Sequence, residues 1–117
     1  METDDVVLGL GALAQATRLE ALRTLVRHEP GGLAAGDLAR RLGVPQNTLS
    51  AHLNVLANAG LVAGVRRGRS IIYRAGVLHL GAILGFLLKD CCAGHPEVCA
   101  PVFAPDVTCP RQEEICP

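Results

Sequence analysis

The stretch from Pro45 to Val62 reads PQNTLSAHLNVLANAGLV, and the interpretation of the whole chain depends on it. Its leucines fall at Leu49, Leu53 and Leu56, at steps of three and four residues, so one side of a helix is apolar. The opposite side carries small and uncharged residues, which are Gln46, Asn47, Ser50, Ala51 and Asn54. Amide and hydroxyl groups of this kind read base edges in a DNA groove. The stretch therefore predicts a DNA-recognition helix.

The residues before this stretch predict three further helices. Val6 to Ala14 carries apolar residues at helical spacing, and a second helix is predicted with Thr17 as its cap and Glu20 at the capping-box position. Leu33 to Leu42 predicts a third helix. Gly43-Val44-Pro45 then has about the length of the turn in a helix-turn-helix. The opening stretch is thus predicted to be the second helix of that motif.

Two β-rich runs follow the predicted recognition helix. Leu61 to Arg66 and Ser70 to Arg74 are separated by a short loop with a central glycine, which predicts a β-hairpin. Arg66, Arg67 and Arg69 cluster at its tip, the part of a winged helix that reaches the sugar-phosphate backbone or the minor groove. A solvated basic turn is the alternative interpretation.

A fifth helix is predicted from Val77 to Lys89, and it is apolar over a wide arc. A small domain cannot cover such a helix alone, so a second subunit is the obvious partner. The predicted fold class is therefore mainly α with a small β wing, a dimeric winged helix-turn-helix. Residues 1–90 are expected to form the DNA-binding and dimerisation domain, and residues 91–117 a cysteine-rich tail.

The net charge of zero hides a partition along the chain. Residues 17–74 carry nine arginines against three carboxylates, whereas the segments on both sides carry more acid than base. Clustered basic charge attracts a phosphate backbone, although an ordinary solvated surface would give the same count. The sequence contains no phosphate-binding loop or acid–base constellation, so we expect a binding protein and not an enzyme.

Neither a membrane span nor an export signal is predicted. The N-terminus is acidic where a signal peptide would be basic, and the longest apolar run, residues 75–88, is too short to cross a bilayer. The expected location is the cytoplasm. Five cysteines in that reducing compartment serve as thiolates for a metal or a redox sensor more readily than as disulfides.

The order of the predicted elements resembles a known family. Residues 6–90 are similar to the ArsR/SmtB repressors, dimeric winged-helix metal sensors, in the motifs ATRLEALRTL, LARRLGVPQNTLSAHLNVLANAGLV and RRGRSIIYR. The resemblance implies that the first and last helices form the dimer interface and that operator DNA is the partner. It also implies that Arg67–Arg69 is the wing, and that the residues facing DNA include Gln46, Asn47, Ser50 and Ala51.

Two more residues of the recognition helix are included among the predicted DNA contacts. His52 lies at the margin of the apolar stripe, where it either packs against the domain or contacts DNA. The hydroxyl of Thr48, like that of Ser50, can satisfy the backbone as well as a base. Both interpretations stay open for these residues.

The inducer sites implied by the resemblance are incomplete in this chain. Family members that sense through the helix before the turn carry an LCVCDL motif, and residues 33–38 here read LAAGDL, without either thiol. Zinc sensors that use the last helix carry an aspartate and a histidine two residues apart, followed by two more ligands. The matching positions are Val77, His79, Asp90 and Ala93, so His79 alone is retained.

The remaining candidate ligands are Cys91, Cys92 and Cys99. The helix is expected to break before Pro96, and the short loop can then bring the third sulfur back to the adjacent pair. Three thiolates without an obligatory fourth ligand suit trivalent arsenic or antimony, which form three bonds to sulfur. Zinc prefers four ligands, and His95 could complete a Cys₃His set.

Thiol oxidation is a further alternative for the tail, although a disulfide between adjacent cysteines is strained. Cys109 and Cys116 are interpreted as spare thiols or as ligands for the opposite subunit. Two other function classes remain, a DNA-binding protein with a purely structural zinc tail and a thiol enzyme that acts on arsenic compounds.

Overall fold

The structure is a computed structural model that describes residues 1–91 and residue 97. Its elements in chain order are α1 (Thr3–Leu13), α2 (Ala16–Arg27), β1 (Leu33–Ala34), α3 (Ala35–Leu42), α4 (Gln46–Asn58), β2 (Val62–Arg67), β3 (Ser70–Ala75) and α5 (Val77–Cys91). The chain divides into two compact units, Met1–Ile83 and Leu84–Pro117, and α5 contributes residues to both. None of the helices in the described part has the length and apolar character needed to cross a membrane. The predicted fold class, mainly α with a small β wing, is confirmed.

Aliphatic side chains build the core of the first unit. Leu49, Leu53 and Leu56 of α4 are fully buried, which confirms the apolar stripe predicted for this helix. The other large side chains that are fully buried in the unit are Leu25, Leu38, Leu61 and Ile83. Burying one such side chain contributes about 1.5–3 kcal/mol to folding. The leucine stripe therefore fixes which face of α4 remains on the surface.

The turn between α3 and α4 has the length expected for a helix-turn-helix. Gly43 adopts a left-handed conformation, with φ of +69°, and its amide donates to Arg40 O at 3.3 Å. Val44 N donates to Ala39 O at 3.1 Å, so a second carbonyl at the end of α3 is satisfied. Glycine suits this position because a side chain strains the backbone at positive φ. Pro45 then precedes the first residue of α4.

The wing, formed by β2, β3 and the loop between them, belongs to a three-stranded antiparallel sheet in the order β1-β3-β2. The predicted hairpin is confirmed, whereas the third strand was not expected from the sequence. Leu33 and Ala34 pair with Tyr73 and Ile72, so the helix predicted from Leu33 is wrong in its first two residues. Their backbone groups bond to a strand that is distant in sequence. β2 lies at an edge of the sheet.

The second helix begins earlier than predicted. Its first residue is Ala16, and its cap is Gln15, whose Oε1 accepts a hydrogen bond from Arg18 N at 2.9 Å. A cap residue stays outside the helix, and Gln15 does so with an extended backbone, φ −154° and ψ 133°. The prediction that Thr17 is the cap is wrong, because Thr17 already lies in the first turn.

α1 approaches α5 closely at one glycine. Gly9 is buried, and a Cβ atom placed on it would collide with Ile83 Cδ1 of α5. Ile83 is itself fully buried, so its side chain has little free space to move into. Glycine at this position therefore lets the two helices pack together. Val6 and Ala12, on the same face of α1, are buried as well.

Candidate nucleic-acid interface

The outward face of α4 is polar and uncharged. The exposed residues on this face include Gln46, Asn47, Thr48, Ala51 and Asn54, and Ser50 is half-buried. The helix contains no aspartate, glutamate, lysine or arginine along its whole length. Its amide and hydroxyl groups can donate to and accept from base edges. This face therefore has the chemistry of direct base readout.

Asn47 has part of its hydrogen-bonding capacity engaged within the helix. Its Oδ1 accepts from the backbone N–H of Thr48 at 2.9 Å. That N–H is one of those that the first turn of a helix leaves without an intrahelical partner. The side-chain NH₂ of Asn47 remains as a donor, because an amide carries two N–H groups and one carbonyl. A base contact through this NH₂ leaves the local bond intact.

A groove of about 200 Å³ lies between α4 and the wing. Three of the predicted DNA-binding residues, Gln46, Ser50 and Arg69, line it. Ser70 and Tyr73 of β3 complete the polar part of its lining. Hydroxyl, amide and guanidinium groups are the usual partners of the sugar-phosphate backbone. The structure thus brings α4 and the wing loop to one surface.

The three wing arginines do not share one side of the sheet. Arg66 pairs with Ile71, which lines the groove beside α4, so Arg66 lies on that face. Arg67 lines a second groove, of about 470 Å³, together with Val65 on the opposite face. Arg66, Arg67 and Arg69 are all exposed, and none forms an ion pair with a side chain that the structure describes. Positive charge is therefore available on both faces of the wing.

His52 contacts the body of the domain through one ring nitrogen. The residue is half-buried, and its Nδ1 lies 3.4 Å from Nη1 of Arg18 in α2. A guanidinium has no acceptor, so a hydrogen bond between these two groups requires Nδ1 as the acceptor, which in the neutral ring leaves the proton on Nε2. The packing role considered for His52 is therefore present. A DNA contact through Nε2 stays a prediction, as does a contact by Thr48.

Three residues near this surface were not selected from the sequence. Ser70 and Tyr73 line the groove. The sequence could have indicated Tyr73, because alternate residues of a strand such as Ile71 and Tyr73 lie on the same face. Arg18 contacts His52 from another helix. No local pattern reveals that contact, since the two residues are 34 positions apart.

The predicted inducer site falls largely outside the described residues. Cys91 is the last residue of α5. The other tail residues considered as ligands, all outside the described residues, are Cys92, His95, Cys99, Cys109 and Cys116. Across residues 1–91 and 97, no group of three or more His, Cys, Asp or Glu side chains is placed to hold a metal ion. His79 packs on Gly60, with two ring atoms 3.1 Å from where a Cβ of that glycine would lie.

Comparison with known proteins places similar sequences among regulators of transcription. A family model described as a helix-turn-helix domain matches residues 13–65. The transcriptional regulator NmtR of Mycobacterium tuberculosis is 44% identical over 75 residues, which are 64% of this chain and 60% of NmtR. The chain therefore spans less than two thirds of the length of NmtR. The biofilm growth-associated repressor of Xylella fastidiosa is 32% identical over 88 residues, which are 75% of each protein.

Solved structures with about one third of their residues identical to this chain share its fold. An ArsR-like transcriptional regulator from Rhodococcus sp. RHA1 is 33% identical with a TM-score of 0.64, over 74% of this chain and 78% of the other. A homodimeric winged helix-turn-helix DNA-binding domain from Mycobacterium bovis is 31% identical with a TM-score of 0.60, over 74% of this chain and 81% of the other. The similarity thus extends over most of the chain in both sequence and fold.

Proposed function

The chain belongs to the ArsR/SmtB family of transcriptional regulators, and we propose that it is a repressor that trivalent arsenic or antimony releases from operator DNA. The protein binds its operator as a homodimer through residues 1–90. Thiolates of Cys91, Cys92 and Cys99, in the tail of residues 91–117, bind the inducing ion. The proposed site of action is the cytoplasm, where thiols stay reduced.

The observation that carries the DNA-binding part is the groove between α4 and the wing. Gln46 and Ser50 present neutral polar groups on one wall, and Arg69 brings positive charge to the other. Neutral hydrogen-bonding groups discriminate base edges, whereas an arginine on a phosphate adds affinity that falls with salt concentration. A homodimer would place two copies of α4 in successive major grooves, about one helical turn of DNA apart.

Exposed apolar side chains support a homodimer through α1 and α5. Val7, Leu8 and Leu10 of α1 are 61%, 53% and 41% exposed, although the other side of this helix is buried. Leu78 and Leu84 of α5 are 88% and 49% exposed. A second subunit that covers such side chains removes apolar surface from water and so stabilises both copies. The homodimeric neighbour from Mycobacterium bovis supports the same kind of assembly.

Donor chemistry supports trivalent arsenic or antimony as the inducer. Cys91 and Cys92 are adjacent, and Cys99 follows after a short loop, so three soft sulfur donors are close in sequence. α5 ends at Cys91, so an ion bound by this thiolate would lie at the end of a helix that the proposed dimer uses. A hundredfold loss of operator affinity requires a coupling free energy of only about 2.7 kcal/mol. Zinc with His95 as a fourth ligand is the main rival.

Release of operator DNA tests the proposal. A duplex is first selected from a randomised library with the parent protein, and its binding is followed by fluorescence anisotropy. Arsenite, methylated trivalent arsenic, antimonite, zinc and cadmium are then titrated against the complex under reducing conditions. The parent is compared with Cys91→Ser, Cys92→Ser and Cys99→Ser. Cys109→Ser and Cys116→Ser are matched controls, because they remove thiols from the same tail.

We expect arsenite or antimonite to lower operator affinity by about a hundredfold in the parent and in both controls, but not in the three ligand variants. Equal release from all three ligand variants would place the inducer site elsewhere. Release by zinc or cadmium alone would favour the Cys₃His alternative, and release by an oxidant alone a thiol switch. DNA binding that resists every ion, with unfolding by a strong chelator, would indicate a structural zinc tail.

A further inference from the structure

One arginine joins three helices of the first unit. Arg18 Nε donates to Ala12 O, in the last turn of α1, at 2.6 Å. Its Nη1 lies 3.4 Å from His52 Nδ1 in the middle of α4. The backbone N–H of Arg18 donates to Oε1 of the cap residue Gln15 at 2.9 Å. This bond stabilises the first turn of α2, the turn that contains Arg18.

The two side-chain contacts of Arg18 have different physical origins. Ala12 O belongs to the group of carbonyls that the end of α1 cannot satisfy within the helix, and a guanidinium there also opposes the negative end of the helix dipole. His52 Nδ1 accepts the other bond, because a guanidinium can only donate. Arg18 is half-buried, and it forms no ion pair with a carboxylate in the described part of the chain. Its donors therefore link α1 to α4 without a counter-ion.

We propose that Arg18 is a positioning residue for DNA binding, which ties α4 to α1 and holds His52 in one tautomer. This inference rests on the proposed DNA-binding function. A movement of α1 relative to α4 lengthens one of the two side-chain hydrogen bonds of Arg18. Because α1 belongs to the proposed dimer interface, a change in the dimer reaches the recognition helix through this residue. With Nδ1 as the acceptor, His52 keeps Nε2–H as a donor for DNA.

The tautomer of His52 can be measured on the full chain without DNA. Long-range ¹H–¹⁵N correlation spectra of the imidazole groups distinguish a proton on Nε2 from a proton on Nδ1. We expect a single Nε2–H tautomer in the parent and a mixture in Arg18→Met. Arg23→Met is the matched control, because Arg23 is an exposed arginine of the same helix and pairs with Glu20 at 3.1 Å. A spectrum that Arg18→Met leaves unchanged would overturn the proposal.

Operator affinity separates positioning from a phosphate contact. Arg18→Met should lower affinity by about tenfold with an unchanged salt slope, because the variant still neutralises the same number of phosphates. A slope that falls by about one counterion would instead make Arg18 a direct DNA ligand. In a double-mutant cycle, Arg18→Met should have a smaller effect when His52→Ala is already present. His52→Asn, which keeps an oxygen near the place of Nδ1, should preserve most of the sensitivity to Arg18→Met.

Arg18→Lys tests whether operator affinity depends on the hydrogen-bond geometry of Arg18 or on its positive charge. A lysine keeps the positive charge, but its one ammonium nitrogen does not replace both Nε and Nη1, which the rigid guanidinium holds at separate positions against Ala12 O and His52. We expect its operator affinity to fall as in Arg18→Met; affinity equal to the parent's would refute the proposal. Thermal unfolding of each variant checks that the fold survives. If the parent selects no duplex, the proposed function fails; normal binding with no effect of Arg18 variants refutes the positioning role alone.

Discussion

The carboxylate of Glu29 accepts a hydrogen bond from Arg74 Nη2 at 2.8 Å and so ties the loop after α2 to the end of β3. The backbone N–H of Ala75 donates to the same carboxylate at 3.1 Å. The side-chain hydrogen bond with Arg74 holds the pKa of Glu29 below its usual range, against the opposing effect of burial. The pKa of Arg74 is raised in turn, mainly by the same bond.

Glu29→Gln should therefore lower the melting temperature at neutral pH and have little effect in acid. The folded protein holds Glu29 at a lower pKa than the unfolded chain does, so the ionised carboxylate stabilises the fold above the ordinary glutamate value of 4.5. This contribution is lost as the pH falls through the folded pKa. Melting temperatures of parent and variant between pH 7 and about pH 3 should converge at the acid end. A gap of constant size would contradict this role.

Gly9→Ala should destabilise the protein, whereas Gly11→Ala should not. The new methyl group at Gly9 meets Ile83, and overpacking of a buried contact costs about 1–3 kcal/mol. Nothing lies within 4 Å of a Cβ at Gly11, so alanine there gains helix propensity of up to about 1 kcal/mol. Urea unfolding measures the free energy of unfolding of each variant, which should fall for Gly9→Ala and should not fall for Gly11→Ala. Equal stability of the pair would contradict the close approach of α1 and α5.

Arg69→Gln and Arg67→Gln should weaken binding to every duplex, and Arg69→Gln should do so more strongly. Arg69 lines the groove with Gln46 and Ser50, whereas Arg67 lies on the other face of the wing. Removing one arginine from a phosphate should flatten the slope of log K against log salt by about 0.9. Anisotropy titrations at several salt concentrations give the slopes, with Arg23→Gln as the control. Slopes equal to the parent's would mean that the wing is an ordinary solvated turn.

Gln46→Ala should change sequence preference more than overall affinity. Gln46 is exposed at the first turn of α4 and is neutral, so its removal costs base discrimination of about 1–3 kcal/mol at one position. Competition between the selected duplex and its single-base variants measures this loss. Asn58→Ala is the control, because Asn58 is exposed at the opposite end of α4. The same profile for both variants would argue against base readout by Gln46.

Local signals predicted most of the fold. The leucine stripe of α4, the helix end at Gly43 and the hairpin each depend on residues that are close in sequence, and the structure has all three. β1 was not predicted, because Leu33 becomes a strand residue only by pairing with Tyr73, which is distant in sequence. A strand of two residues is also too short to show an alternating pattern of apolar and polar residues. The cap of α2 was misplaced because Thr17 has the better capping chemistry but Gln15 has the extended backbone.

The candidate site was predicted in its residue types but not in its arrangement. Gln46 and Arg69 were selected for their chemistry, and the groove that joins them depends on how the wing packs beside α4. His52 stayed ambiguous in the sequence because its partner Arg18 lies on another helix. The predicted ligands Cys92 and Cys99 lie outside the described residues and stay predictions.

β2 lies at an edge of its sheet, so in the protein without DNA it could pair with the strands of other molecules. An edge strand offers backbone N–H and C=O groups to strands of other molecules, and Val65, 48% exposed, adds an apolar side chain. Arg66 and Arg67 on this strand oppose such pairing, because two copies would bring like charges together. The same side chains thus keep the wing from aggregating. A variant that neutralises both arginines would lose solubility as well as affinity.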